Sequence, residues 1–164
     1  MNPITIFNGN LVVVDAMILI NFHGLLALEK LMTWTRNEIV IERRVKNEAR
    51  FSKAGKIDLS PYIQNASIIE KEIEGPEQEE LFYYYFNRTL GKTKIHEAEA
   101  ACLALAISKG YGLACDEKVV RDEFRRRCVG KICIHSWGIV DKANELGFIE
   151  KEEADYLKKG LYYV

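Results

Sequence analysis

The sequence predicts an α/β fold with a mostly parallel central sheet, and two observations carry that prediction. Short apolar runs alternate along the chain with longer segments of helical periodicity, which is the pattern of strand–helix–strand units. The chain has 164 residues and only 3 prolines, and it contains no repeat, low-complexity segment or linker. Residues 1–164 are therefore expected to form a single domain.

The predicted strands are short runs of β-branched and other apolar residues. They cover residues 11–14, 38–41, 57–59, 66–69, 113–115 and 131–134. Two of these runs lead directly to an aspartate, LVVV to Asp15 and GLAC to Asp116. Because ligands bind at the carboxyl ends of parallel strands, these two positions are the first candidates for a functional site.

The predicted helices lie between the strands. Residues 16–33 predict two short helices separated near His23 and Gly24. A charged helix follows over 42–51, with Val45 and Ala49 on its buried side. Pro76 suits the first turn of a helix that carries the aromatic residues 82–86. The remaining helices are expected at 97–109, closed by Gly110, at 118–128, after Ser136 as an N-cap and up to Gly147, and at 152–159.

Composition excludes several classes of protein. The net charge of -1 gives no global basic field, so any nucleic-acid binder of this composition must use local patches or bound cations. The four cysteines form no CxxC pair and the histidines lack ligand spacing, which disfavours a zinc site. No phosphate loop, basic leader or uninterrupted apolar span is recognised. A cytoplasmic protein without a membrane segment is expected.

Asp15 and Asp116 favour a metal site. Carboxylates at the ends of two neighbouring buried strands would be poorly solvated and would repel each other, and a divalent cation resolves both problems. The alternative is that each aspartate only caps the helix that follows it. Glu97 and Glu99 open an almost wholly apolar helix, where an acid is either a cap or a ligand. On periodicity alone, Glu48 is a solvated residue beside Arg44 and Lys46.

Four segments occur in the order seen in PIN-domain nucleases. They are VVVDAMILINF, IVIERRVKNEARF, HEAEAACLALAISKG and LACDEKVVRDEF. The C-terminal segments KICIHSWGIVDKANELGFI and LKKGLYY resemble one prokaryotic subgroup, that of the VapC-like toxin ribonucleases or a related one. The resemblance runs from Leu11 to about Tyr163 and implies a three-layer α/β/α sandwich of the PIN type.

The resemblance assigns the site residue by residue. The first strand acid falls on Asp15, the helix acid on Glu48 and the later strand acid on Asp116. The acid of the long helix is Glu99 by its distance to Gly110, or Glu97 by the family's paired-acid form. The implied catalytic residues are Asp15, Glu48, Glu99 and Asp116, and the implied metal ligands are Asp15, Asp116, Glu99 and Glu97.

The chain departs from the family pattern at three places. Ala16-Met17 stands where a serine, threonine or asparagine is frequent, Asp116-Glu117 where two aspartates are frequent, and His96 where glycine is usual. None of these changes removes an implied ligand, so they concern the surroundings of the site.

The resemblance implies hydrolysis of RNA phosphodiester bonds with Mg²⁺ or Mn²⁺, ions that prefer oxygen ligands. Ser136, Arg121 and Arg125 are candidates for substrate contact, although a helix cap and a solvated basic face are the simpler interpretations. The implied partners are RNA, a second copy of the chain in a homodimer and, for a toxin, a small antitoxin protein. Two alternatives stay open: a non-catalytic PIN-like module that binds RNA or protein, and a metal-dependent phosphohydrolase acting on small esters.

Overall fold

A computed structural model describes residues 4–161. Tyr162 and Tyr163, at the end of the C-terminal resemblance, lie outside the described residues. In chain order the elements are β1 (Val12–Val14), α1 (Ala16–Gly24), α2 (Leu28–Thr35), β2 (Ile39–Glu42), α3 (Arg43–Glu48), β3 (Phe51–Ser52), β4 (Gly55–Lys56), α4 (Ser60–Gln64), β5 (Ile68–Lys71), α5 (Pro76–Tyr85), β6 (Thr89–Leu90), β7 (Thr93–Lys94), α6 (Glu97–Lys109), β8 (Gly112–Ala114), α7 (Lys118–Arg127), β9 (Cys133–Ile134), α8 (Ser136–Glu145) and α9 (Lys151–Gly160).

The central sheet has five parallel strands in the order β5-β2-β1-β8-β9. Val13 in the middle strand pairs with Val40 on one side and with Leu113 on the other. Every residue of β1, β2 and β8 is buried, as expected for strands covered by helices on both faces. The predicted three-layer α/β/α sandwich is confirmed.

Helix α6 is the central helix of the core. It packs on β1, β2 and β8 and also on α5 and α7. Its apolar side chains are buried from Ala98 to Ala106 because neighbours surround it on all sides. It ends at Gly110, whose φ of 70° is a left-handed conformation that glycine adopts without strain, so both predicted ends of this helix are confirmed.

A glycine also permits close packing in the sheet. A Cβ atom at Gly112 would lie 2.9 Å from the carbonyl oxygen of Ile132 and 3.1 Å from a side-chain carbon of Val12. Only a residue without a side chain therefore fits at the start of β8, between Val12 of β1 and Ile132 just before β9. Among residues 4–161, no helix combines the length and the apolar character that crossing a membrane requires.

The structure corrects three predicted elements. The helix expected over residues 42–51 ends at Glu48, and Phe51 lies instead in a β3–β4 hairpin. Residues 57–59 form no strand; Ile57 and Leu59 are buried anchors of the segment before α4. The strand expected at 131–134 is confined to Cys133–Ile134. Val45, Ala49, Ile57 and Leu59 are buried although no helix or strand of the predicted length forms there, so burial of an apolar side chain does not require the predicted backbone pairing.

Candidate active site

A cavity of about 260 Å³ opens at the carboxyl ends of β1 and β8. Asp15 directly follows β1, Asp116 lies just beyond β8, Glu48 is the last residue of α3, and Glu99 is in the first turn of α6. The lining residues are Asp15, Met17, Glu48, His96, Glu99, Asp116 and Glu117. Five of these described residues are acids and none is a lysine or an arginine. The ends of two strands and two helices, α3 and α6, thus concentrate negative charge in one place.

Asp15 is buried, with 5% of its surface exposed. One carboxylate oxygen accepts a hydrogen bond from the backbone N–H of Ala16 at 2.8 Å. The other contacts are weak: the thiol of Cys102 lies 3.7 Å from Oδ1 and that of Cys115 lies 3.4 Å from Oδ2. Burial raises the pKa of Asp15, and the neighbouring charge of Asp116 adds to that effect.

The two cysteines were predicted to be small core residues, and both are buried. Their contact with Asp15 was not predicted. Two signals in the sequence could have shown it: Cys102 lies one helical turn after Glu99, and Cys115 directly precedes Asp116.

Asp116 is held much more firmly than Asp15. Its Oδ2 accepts hydrogen bonds from the side-chain amide of Asn21 at 2.7 Å and from the hydroxyl of Ser136 at 2.6 Å. Its Oδ1 accepts a third from the backbone N–H of Ser136 at 2.7 Å. These donors fix the carboxylate and leave a lone pair of Oδ1 for a ligand. Asn21 was missed from the sequence, although a buried amide in an apolar helix requires a partner.

The prediction that Ser136 caps a helix is wrong. The N-cap of α8 is His135, whose ring nitrogen accepts a hydrogen bond from the backbone N–H of Gly138 at 3.2 Å. Ser136 is the first residue of the helix, is fully buried and donates to Asp116. The Ser136 side chain therefore fixes the carboxylate of Asp116 without lining the cavity itself.

Glu99 and Glu48 complete the acidic wall of the cavity. The Oε1 atom of Glu99 accepts a hydrogen bond from the backbone N–H of His96 at 2.9 Å. Burial, with the charge of Asp15 as a further cause, raises the pKa of Glu99 to about 7. Glu48 is more exposed, yet desolvation at the cavity wall and the charge of Asp15 also raise its pKa. Burial is the largest cause of the raised pKa at Asp15, Glu48 and Glu99, so their negative charges are poorly solvated.

The structure places Glu97 apart from these acids. It does not line the cavity, and its Oε1 accepts a hydrogen bond from Nε of Arg44 at 2.8 Å. The same guanidinium donates to Glu42 at 2.6 Å and lies 4.5 Å from the ring centre of Phe82. Glu42 is fully buried at the end of β2. Arg44 thus joins the start of α3 to the start of α6.

The two candidate arginines also lie outside the cavity. Arg121 was expected on a surface helix face, but it is buried, and its Nη1 donates to the carbonyl of Cys115 at 2.9 Å. The expected surface position is therefore wrong: Arg121 lies in the interior and holds the backbone just after β8. Arg125 is exposed, donates to the carbonyl of Cys133 at 3.3 Å and lies 3.7 Å from Asp122.

The donor chemistry fits a hard divalent cation, because carboxylate oxygens are the ligands that Mg²⁺ and Mn²⁺ prefer. Within residues 4–161, no three His, Cys, Asp or Glu side chains already converge as a metal-binding group. The acids surround the cavity without meeting at one point, so a bound cation would have to draw them together.

A family model described as a PIN domain matches residues 11–159. The chain belongs to the PIN-domain family. No curated protein and no solved structure matches it. PIN domains are generally nucleases, and they typically use divalent metal ions. In this PIN domain the matched segment contains every lining residue of the acidic cavity. Glu117, which the sequence indicated only as a departure from the family pattern, is one of them.

Proposed function

We propose that this PIN domain is a ribonuclease that depends on Mg²⁺ or Mn²⁺. One observation carries the proposal: five acids line a single cavity in which the described residues supply no lysine or arginine. Such a set of charges is costly without a cation, and it offers only oxygen ligands.

Asp15, Asp116 and Glu99 would hold the cation, with Glu48 completing the site from α3. A divalent cation bound there would supply positive charge for the scissile phosphate and would lower the pKa of a water molecule. Other residues of the chain hold these carboxylates in position. Asn21 and Ser136 fix Asp116, and the backbone N–H of His96 fixes one oxygen of Glu99.

The direct test is cleavage of an RNA substrate with Mn²⁺ by the native chain and by Asp116→Asn. The substitution keeps the shape of the side chain but removes its charge, so we expect cleavage to fall by about 10³-fold, or roughly 4 kcal/mol in the barrier. Lys109→Gln is the control, because Lys109 lies at the opposite end of the sheet. Full activity of Asp116→Asn would reject the site. Absence of Mn²⁺ binding by calorimetry would favour the non-catalytic module.

The toxin role is a finer proposal that rests on the resemblance to the VapC-like subgroup. It requires that induced expression of the native chain arrests growth of a bacterial host while Asp116→Asn does not. Unimpaired growth with intact RNA cleavage would reject the toxin role and leave the nuclease in place. The homodimer and the antitoxin stay predictions.

A further inference from the structure

A second cavity adjoins the acidic one at the C-terminal turn of α3. It measures about 480 Å³, and its walls come from α3, the β3–β4 hairpin and the segment before α4. Glu48 lines the acidic cavity, while its neighbours Asn47 and Ala49 line the second one. Consecutive Cα atoms are about 3.8 Å apart, so Arg50 in the second cavity is at most about 7.6 Å from Glu48 between Cα atoms.

The second cavity has the opposite charge. Its lining residues include three cations, Lys46, Arg50 and Lys56, and one acid, Asp58. Lys46 is paired with Glu70 at 2.8 Å, and the carboxylate of Asp58 accepts a hydrogen bond from the backbone N–H of Ser60. Within residues 4–161, no ion pair engages Arg50 or Lys56. The charge of Lys56 acts on nearby Asp58, but neither Lys56 nor Arg50 is held in an ion pair among the described residues, so both cations can contact an anionic ligand.

An exposed aromatic ring lies among these cations. Phe51 has 67% of its surface exposed and lines the second cavity. It pairs across the hairpin with Lys56, so the two side chains emerge on the same face. The hairpin is fixed to α1, because a hydrogen bond of 2.6 Å joins Nδ1 of His23 to Oγ of Ser52. Since α1 begins directly after Asp15, this bond fixes the hairpin that carries Phe51 relative to the acids.

We propose that Arg50, Phe51 and Lys56 form a subsite for single-stranded RNA, next to the position of the scissile phosphate. The two cations bind backbone phosphates and the ring stacks on a base, a combination that recurs in proteins that bind single strands. A single strand is required because the bases of a duplex are stacked on each other and cannot reach a side chain. This inference rests on the proposed nuclease function and adds the side chains that would bind the strand beside the acidic cavity.

The test measures binding of a labelled oligoribonucleotide of about 10 nucleotides to the uncleaving Asp116→Asn chain, by fluorescence anisotropy at several salt concentrations. Neutralising both cations, in Arg50→Gln/Lys56→Gln, is expected to lower the slope of log Kd against log salt by about 1.4. The matched control is Lys109→Gln/Lys131→Gln, which removes the same charge at the amino ends of the strands and should leave the slope unchanged.

Phe51→Ala separates stacking from charge. It is expected to weaken binding about 5- to 150-fold with an unchanged salt slope, since stacking is worth about 1–3 kcal/mol per base. Phe51→Trp should restore binding. The three side chains are exposed, so the variants should fold, and circular dichroism checks this.

Equal weakening by the two double variants, native affinity of Phe51→Ala, or no binding of single-stranded RNA would overturn the subsite. Its failure is distinct from failure of the nuclease. If the native chain cleaves RNA while the subsite variants bind normally, only the subsite is wrong. If the subsite variants lose RNA binding but the native chain never cleaves, the subsite stands and the nuclease is rejected.

Discussion

Asp15 and Asp116 leave neighbouring strands at the same end of the sheet, but different donors hold their carboxylates. Asp116 has three strong donors, whereas Asp15 has one backbone N–H and two thiols at 3.4 and 3.7 Å. Burial raises the pKa of the poorly satisfied Asp15 carboxylate. Asp116 is therefore held in one orientation before any cation binds, whereas Asp15 has few donors and a cation would supply the charge that it lacks.

The raised pKa of Glu99 predicts how the stability of the folded chain depends on pH. Its pKa is about 7 in the folded chain against an ordinary value of 4.5, so the folded state keeps a proton that the unfolded state has lost. Stability of the metal-free chain should therefore fall as the pH rises from about 4.5 to about 7. The raised pKa values of Asp15 and Glu48 act in the same direction.

We expect metal-free Glu99→Gln to be more stable than the native chain by about 1–2 kcal/mol at pH 8, with the difference gone near pH 5. Glutamine keeps the acceptor for the N–H of His96 but carries no charge. Urea denaturation in EDTA at both pH values measures this. A variant that is less stable than the native chain at pH 8 would show that the Glu99 charge is already balanced within the protein.

At the scale of elements, Arg44 determines how α3 and α6 meet. It binds buried Glu42 at the end of β2 and Glu97 at the start of α6. This arrangement distinguishes the two candidate acids of the long helix, since Glu97 serves the contact between helices and Glu99 faces the cavity. Spacing alone could not separate them, because both lie in the first turn and only packing against α3 selects one.

The expected outcome is that Glu99→Gln lowers Mn²⁺ affinity more than tenfold, while Glu97→Gln changes it less than threefold, as measured by calorimetry. Glu97→Gln should also cost at most about 1 kcal/mol of stability, since the side chain of Glu97 is 57% exposed. Arg44→Gln should cost about 3–5 kcal/mol, because it leaves Glu42 buried and unpaired. An equal loss of Mn²⁺ affinity in both glutamate variants would make Glu97 a ligand.

The elements also show how far sequence reasoning reaches. Helix α6 was predicted with both ends because local signals define it: acids in its first turn and Gly110 after its last. The β3–β4 and β6–β7 hairpins were missed, since strands of two residues carry no periodicity. Asp15 and Asp116 could be predicted because each follows an apolar strand. The roles of Asn21 and Arg44 could not be predicted, because they depend on contacts between residues far apart in the chain.

Although the net charge of the whole molecule is only -1, its surface has two regions of opposite charge. The acidic cavity and the cationic cavity share the C-terminal turn of α3, with Glu48 facing one and its neighbours facing the other. A protein without a global basic field can therefore attract a cation and a polyanion at adjacent places. We expect the acids of the first cavity to make the metal-free chain less stable at neutral pH than at about pH 5, and a bound cation should reverse that loss.

A crystal of the chain soaked in Mn²⁺ would show whether the acidic cavity is a metal site. We predict anomalous density in the acidic cavity, with oxygen atoms of Asp15 and Asp116 at about 2.1 Å and Glu99 completing the site directly or through water. Glu97 should remain on Arg44. If the acidic cavity has no Mn²⁺ density at saturating metal, or if the ion binds elsewhere on the chain, the proposed metal site is wrong.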